Sequence, residues 1–266
     1  MEKSKGHPMS SSLPLMQRWL LRLHTVIHRT GLLRTGPGKR FFETCYLLYK
    51  RFLEAKHVTQ LRRHVQKDHW VIDVGANIGF FTDLFAQWLA GSGRVLAIEP
   101  EEHNCTRLKQ RLAGHPQRGR IDVLQLAAAQ IDGQGYLQIN PDHPADHRLA
   151  GTGLPVTLIR LDTLLASHGW PRVSLIKIDV QGAEDQVLLG GRETIARWRP
   201  ALFVELTEAE PGSQRTMALL NEWHYRPHIL TGGDRIDSVS WETLNRLIGQ
   251  KGYLDCLFLP EPHALR

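Results

Sequence analysis

Apolar positions run along this chain in two rhythms, and the change from one to the other at Trp70 sets its organisation. Before that point the spacing is helical. Over 13–29, Met16, Leu20, Leu23 and Ile27 recur every three to four residues with Arg18, Arg22 and His28 between them, which predicts an amphipathic helix with a basic polar face. Such a stripe suits an anionic membrane surface, a partner, or its own domain. The polar first dozen residues are expected to be disordered. Gly36-Pro37-Gly38 breaks the pattern, and a second helical stretch over 41–64 is again basic on one side.

From Trp70 onward, short apolar runs alternate with helical spacing. Strands are predicted over 70–74, 94–98, 121–126, 136–140, 156–161, 174–180 and 201–206, with two more near 228–230 and 253–259. Helices are predicted over 78–89, 101–112, 182–189 and 212–223, and a polar loop over 141–153. Strands apolar on both faces and separated by helices predict a parallel sheet covered on both sides. The fold class is therefore α/β, a mostly parallel doubly wound sheet over 66–266, with an N-terminal helical extension over 1–65.

Composition narrows the class without naming a function. A chain of 266 residues, 42% hydrophobic and 23% charged, can bury one sizeable core and is not of disordered composition. No run of about 18 apolar residues predicts a transmembrane helix, and the first 12 residues lead into no secretory signal core. The formal charge of +6 favours an acidic partner but does not choose among nucleic acid, anionic lipid and an acidic metabolite. Cys45, Cys105 and Cys256 are dispersed and lack a CxxC spacing. They read as reduced thiols in the cytoplasm, with neither a disulfide framework nor a zinc site.

The first candidate chemistry lies in Asp73-Val-Gly75-Ala-Asn77-Ile-Gly79, between the first strand and its helix. Gly75 and Gly79 permit a sharp turn and a close ligand approach, and the helix points free N–H groups and its positive dipole end at that ligand. A methionine-derived carboxylate suits this place. Asp73 at the strand end can accept from an α-ammonium, directly or through water, and Asn77 offers a donor and an acceptor. Glu99 ends the next strand, 24 positions beyond Gly75, where a carboxylate accepts ribose hydroxyls. A dinucleotide would require glycine where Asn77 stands, because the pyrophosphate approaches the backbone closely there. The combination of Asp73, Gly75, Asn77, Gly79 and Glu99 implies S-adenosyl-L-methionine as cofactor.

Three segments, Ile72–Gly79 (IDVGANIG), Ala97-Ile-Glu99-Pro100 and Ile176–Glu184 (IKIDVQGAE), resemble the signature segments of FkbM-type S-adenosylmethionine-dependent methyltransferases. The third is the most specific, since many methyltransferases share the first two. The family commonly has Glu where this chain has Gln181. The resemblance covers roughly residues 70–206 and implies a Rossmann-like class I methyltransferase fold with methyl transfer to hydroxyl oxygens of sugars or natural-product-type small molecules.

Transfer to a hydroxyl calls for a general base. Asp179, at the carboxyl edge of a buried strand, is the best-placed candidate, and helix capping is its alternative employment. Glu184 lies in a first helical turn, where the dipole alone favours a carboxylate. Lys177 either pairs with a carboxylate or faces outward. In the polar loop, His147 is a second candidate base and Arg148 a candidate anion ligand, though a solvated loop accounts for both. His143, His147, Asp142 and Asp146 lack a zinc spacing, and no metal is expected. Two other functions fit the same fold. One is an RNA methyltransferase, although no Asn/Asp-Pro-Pro-Tyr segment or Pro-Cys nucleophile is present. The other is a non-catalytic interaction protein, against which the intact Asp73, Glu99 and Asp179 speak.

Overall fold

A computed structural model describes residues 58–139, 148–208, 210–231 and 235–261. The predicted helix over 13–29 lies outside the described residues, as does nearly all of the one over 41–64. Its last residues form a 3-10 helix, Thr59–His64, instead of α-helix. A tertiary anchor accompanies this tighter turn: Leu61 is buried, and the Gln60 side chain donates to the carbonyl of Thr231. No helix among the described residues is long and apolar enough to cross a membrane.

The strongest sequence signals become the centre of the main sheet. Strand β1 (Trp70–Val74) leads through a loop into α1 (Phe80–Trp88), then β2 (Val95–Ile98), α2 (Glu102–Leu112) and β3 (Ile121–Leu124). After a small second sheet the chain returns as α3 (Leu161–Ser167), β8 (Val173–Ile178), α4 (Glu184–Gly190), α5 (Arg192–Trp198) and β9 (Ala201–Thr207). It closes with α6 (Pro211–Glu222), β10 (Tyr225–Thr231), β11 (Arg235–Ser238), α7 (Trp241–Lys251) and β12 (Tyr253–Pro260). The strand order is β11-β10-β12-β9-β8-β1-β2-β3. From β9 to β3 every pairing is parallel, whereas β12 runs antiparallel between β9 and β10, and β11 antiparallel to β10. The chain leaves β1 toward β2 and later resumes at β8 on the other side of β1. That reversal opens a crevice beyond the carboxyl ends of the two strands, where open α/β sheets take ligands.

Alternation along the strands divides the core into two faces. Ile72, Leu96, Ile176, Ile178, Leu202 and Val204 share one buried cluster with Leu165, Val187, Ile195, Leu220 and Ile248 of the covering helices. Residues of opposite parity face α1, where Phe81 packs against Phe203 with ring centroids 5.7 Å apart. Asp73, Lys177 and Phe203 are neighbours in register across β1, β8 and β9. Two charged residues, Asp73 and Lys177, thus occupy adjacent buried positions on this face.

The middle of the chain differs most from its prediction. A four-stranded sheet of order β4-β7-β5-β6 is built from β4 (Ala127–Ala128), β5 (Gly133–Gln138), β6 (Arg148–Ala150) and β7 (Leu154–Ile159). The loop expected over 141–153 therefore contains a strand: β6 pairs antiparallel with β5, Gln138 opposite Arg148. Three residues are too few to show a period, and only their partner makes them a strand. Helices α3, α5 and α7 were not foreseen; the first two are seven residues long, below the length at which helical spacing declares itself.

Candidate active site

The loop after β1 turns through three left-handed residues, Gly75 (φ +73°), Asn77 (φ +49°) and Gly79 (φ +86°). Glycine adopts this region freely, and asparagine more readily than other side chains. The two glycines have a further reason in the packing around them. A Cβ on Gly75 would stand 1.8 Å from the carbonyl oxygen of Asp179, and one on Gly79 would stand 2.2 Å from Cδ1 of Leu108. Both serve the packing of the protein against itself. The amides of Gly75 and Ala76 donate to the carbonyl of Ile98, each at 3.0 Å, which ties the loop to the end of β2. Helix α1 then begins at an N-cap, Gly79, that has no side chain to accept from the first-turn N–H groups.

Glu99, at the end of β2, is held by the backbone around it. Its Oε2 accepts from the amide of Asn77 at 2.8 Å and its Oε1 from the amide of Glu101 at 3.0 Å, and the Asn104 side chain also bonds to it. A carboxylate has about four acceptor positions, so these bonds orient it without exhausting it. The residue keeps 5% of its surface accessible, and burial pushes its pKa up from 4.5 to about 7 despite the three hydrogen bonds that favour the charge.

Asp73 lies near the end of β1, as expected. It is fully buried, its Oδ2 accepts from Thr82 Oγ1 at 2.6 Å, and its Oδ1 lies 3.4 Å from the Lys177 ammonium. Its carboxylate stands behind the loop. Lys177 joins this group because β1 and β8 pair in the register that sets it beside Asp73. Of the alternatives left by the sequence, pairing is the one observed. The ammonium donates to the carbonyl of Gly75 at 2.7 Å, lies 3.4 Å from Asp179 Oδ2, and stands 5.4 Å from the centre of the Phe81 ring.

Asp179 follows β8 at the crevice, its side chain 29% exposed. Its Oδ1 accepts from Gln181 Nε2 at 3.0 Å, and the same amide nitrogen lies 2.7 Å from Glu205 Oε2. Gln181 is left-handed (φ +55°), which turns its side chain back over Asp179. The N-cap position of α4 is Ala183, without a side-chain cap. Glu184 instead binds the turn, its Oε1 accepting from the amides of Gly182 at 3.0 Å and Val180 at 3.4 Å. Burial raises the pKa of Glu184, and the negative charge of Asp179 adds to the rise. Glu210, at the N-cap of α6, lies over Gly182 and pairs with Arg148 of β6. This ion pair brings the second sheet to the rim of the crevice.

The structure thus gathers Asp73, Gly75, Asn77, Gly79, Glu99 and Asp179 at one edge of the sheet. His147, with His143 and Asp146, lies outside the described residues. Thr82, Glu205 and the centrality of Lys177 are contributions that the structure reveals. One signal was available for the last: a lysine inside the apolar run Leu175–Ile178 must be buried, and a buried ammonium requires partners. Thr82 and Glu205 had no such signal: Thr82 meets Asp73 only once α1 packs on β1, and Glu205 meets Gln181 only once β9 lies beside the turn after β8.

Residues 73–227 match the family model described as the Methyltransferase FkbM domain. Among curated relatives, the 2-O-methyltransferase NoeI of Sinorhizobium fredii is 26% identical over 160 residues, which is 54% of this chain and 65% of NoeI. The 31-O-demethyl-FK506 methyltransferase FkbM of Streptomyces tacrolimicus is 28% identical over 184 residues, 56% of this chain and 65% of that protein. The chain thus spans just under two thirds of the length of these relatives. The crystal structure of Methyltransferase FkbM from Methylobacillus flagellatus covers 73% of this chain and 44% of its own, with 16% identity and a TM-score of 0.48. An O-methyltransferase from Bacillus cereus in complex with SAH also gives 16% identity and a TM-score of 0.48, over 79% of this chain and 81% of its own.

Proposed function

For a chain that belongs to the FkbM methyltransferase family, we propose S-adenosylmethionine-dependent transfer of a methyl group to a hydroxyl oxygen of a sugar or natural-product-type small molecule. One observation carries the cofactor assignment. The buried Glu99 carboxylate is fixed by the Asn77 amide at the mouth of a crevice where an uncapped helix also begins. An acidic acceptor of hydroxyls beside a helix N-terminus fits a molecule with a ribose at one end and an amino-acid carboxylate at the other. Oxygen as the acceptor atom is supported by the relatives, whose names specify 2-O and 31-O positions.

Bound S-adenosylmethionine supplies an electrophilic methyl on a sulfonium, and the sulfur keeps the bonding pair as a neutral thioether when the methyl leaves. The chain's own residues have three tasks. Glu99 and Asn77 orient the nucleoside, the N-terminus of α1 receives the carboxylate, and Asp179 takes the hydroxyl proton as the new carbon–oxygen bond forms. Asp73 acts behind the loop through Thr82 and Lys177. The acceptor enters where the second sheet meets the crevice, at the Arg148–Glu210 pair. Cys105 and Cys256 are free and buried thiols, which suits the cytoplasm as the compartment.

Titration calorimetry tests the cofactor. S-adenosylmethionine is expected to bind the wild type, and Glu99→Ala to weaken it by about tenfold or more, as loss of a charged hydrogen-bond acceptor does. A wild type that shows no binding would overturn the reading. Transfer of labelled methyl to a panel of sugars and polyhydroxylated small molecules then tests the acceptor class.

A further inference from the structure

Lys177 is a buried charge that touches both the loop after β1 and the residue that follows β8. It is 3% exposed, and its strand neighbours Ile176 and Ile178 are fully buried. An apolar side chain of similar volume would fill the position without desolvating a charge, which is why a buried ion pair is not by itself a source of stability. The contacts of this ammonium are specific. It donates to the Gly75 carbonyl in the cofactor loop at 2.7 Å, and lies 3.4 Å from both Asp73 Oδ1 and Asp179 Oδ2. Gln181 Nε2 holds the other oxygen of Asp179. The candidate base therefore has an amide donor on one oxygen and, 3.4 Å from the other, a cation that also holds the loop.

We propose that Lys177 is a positioning residue for methyl transfer, fixing the Asp179 carboxylate and the cofactor loop at one spacing and keeping that carboxylate ionised to receive the acceptor's proton. The inference rests on the methyltransferase reading above. Several carboxylates surround the ammonium and the base. Asp73 faces it from β1 and Asp179 from the end of β8. Glu205 reaches Asp179 from β9 through Gln181, Glu184 adds negative charge from α4, and Glu99 interacts with it from β2. Without the cation, like charges would confront one another, and Asp179 would hold its proton to higher pH.

The test is a carbon-13 NMR titration of aspartate carboxylates in the full chain, with the Asp179 resonance assigned by Asp179→Asn. In Lys177→Met the Asp179 midpoint is expected to rise by about one to three pH units, the usual effect of an adjacent opposite charge. The charge-balanced Lys177→Met/Asp73→Asn variant removes the uncompensated Asp73 and carries the same test if the single variant does not fold. It is expected to keep a raised Asp179 midpoint. An Asp179 midpoint equal to the wild type's in the double variant would overturn the proposal, because Lys177 would then serve only to neutralise Asp73. Cofactor binding is measured separately on the wild type, so failure of the methyltransferase reading registers there and not in the titration.

Discussion

The amide of Asn77 donates to Oε2 of Glu99 at 2.8 Å, joining the left-handed loop after the first strand to the carboxylate that ends the second. The bond needs Asn77 in its left-handed conformation and Glu99 in the crevice, so each residue fixes the other. It also keeps a charged group tolerable in a place where burial disfavours charge.

The pH dependence of cofactor affinity should follow from Glu99. Its pKa of about 7 means that the ionised, acceptor-only form is lost as pH falls through neutrality. Affinity for S-adenosylmethionine is expected to weaken by about tenfold for each pH unit below 7. In Glu99→Gln this part of the slope should vanish. The stability effect has the opposite sense. Because the folded pKa lies above the unfolded value of 4.5, the contribution of Glu99 favours folding below that pH and is lost as pH rises toward 7. Thermal melts of the wild type and Glu99→Gln across pH 4–8 would expose the difference.

Gly75→Ala combines a left-handed backbone with a Cβ 1.8 Å from a carbonyl oxygen. The backbone alone disfavours alanine by about 1–2 kcal/mol, and the clash requires β1 and β8 to separate at their carboxyl ends. A loss of roughly 3 kcal/mol or more is expected in denaturant unfolding, together with loss of cofactor binding. Gly114→Ala is the control, since nothing lies within 4 Å of its added Cβ.

Asp179→Asn keeps the shape and removes the base. Turnover should fall by about 10²–10⁴-fold, while S-adenosylmethionine affinity measured by calorimetry stays near the wild-type value. An unchanged turnover would remove Asp179 from the chemistry.

Away from the crevice, Asp162 accepts from the amides of Glu193 and Thr194 at 3.0 and 2.9 Å and from Thr194 Oγ1 at 2.8 Å. These bonds tie α3 to the start of α5. Asp162→Ala should lower stability by about 2 kcal/mol, a drop of roughly 4–8 °C in Tm, with cofactor affinity unchanged. A matching loss of affinity would mean that the α3–α5 junction supports the site.

Much of the parallel half of the sheet was legible because its signals are local. The apolar run of β1 matched its predicted limits at both ends, and buried parallel strands carry such runs on both faces. The loop, its glycines and Glu99 were likewise readable, since they sit at fixed distances along one strand–helix–strand unit. What escaped were contacts between distant segments. The β5–β6 pairing, the Arg148–Glu210 pair and the Gln181–Glu205 bond join positions whose neighbourhood exists only after the sheet has closed.

The same division applies to the loop that opens the site. Its residues alone determined that a turn follows β1, that a helix begins after it, and that a carboxylate ends the next strand. These follow from glycine's conformational freedom, the helix terminus and strand periodicity, all of them short-range. Only the tertiary structure decided what each group faces. It filled the space beside Gly75 with the Asp179 carbonyl, withdrew Asp73 from the surface, and set Lys177 between two carboxylates. The physical reason is register: which side chains meet across parallel strands depends on how the strands align, and no single strand encodes that alignment.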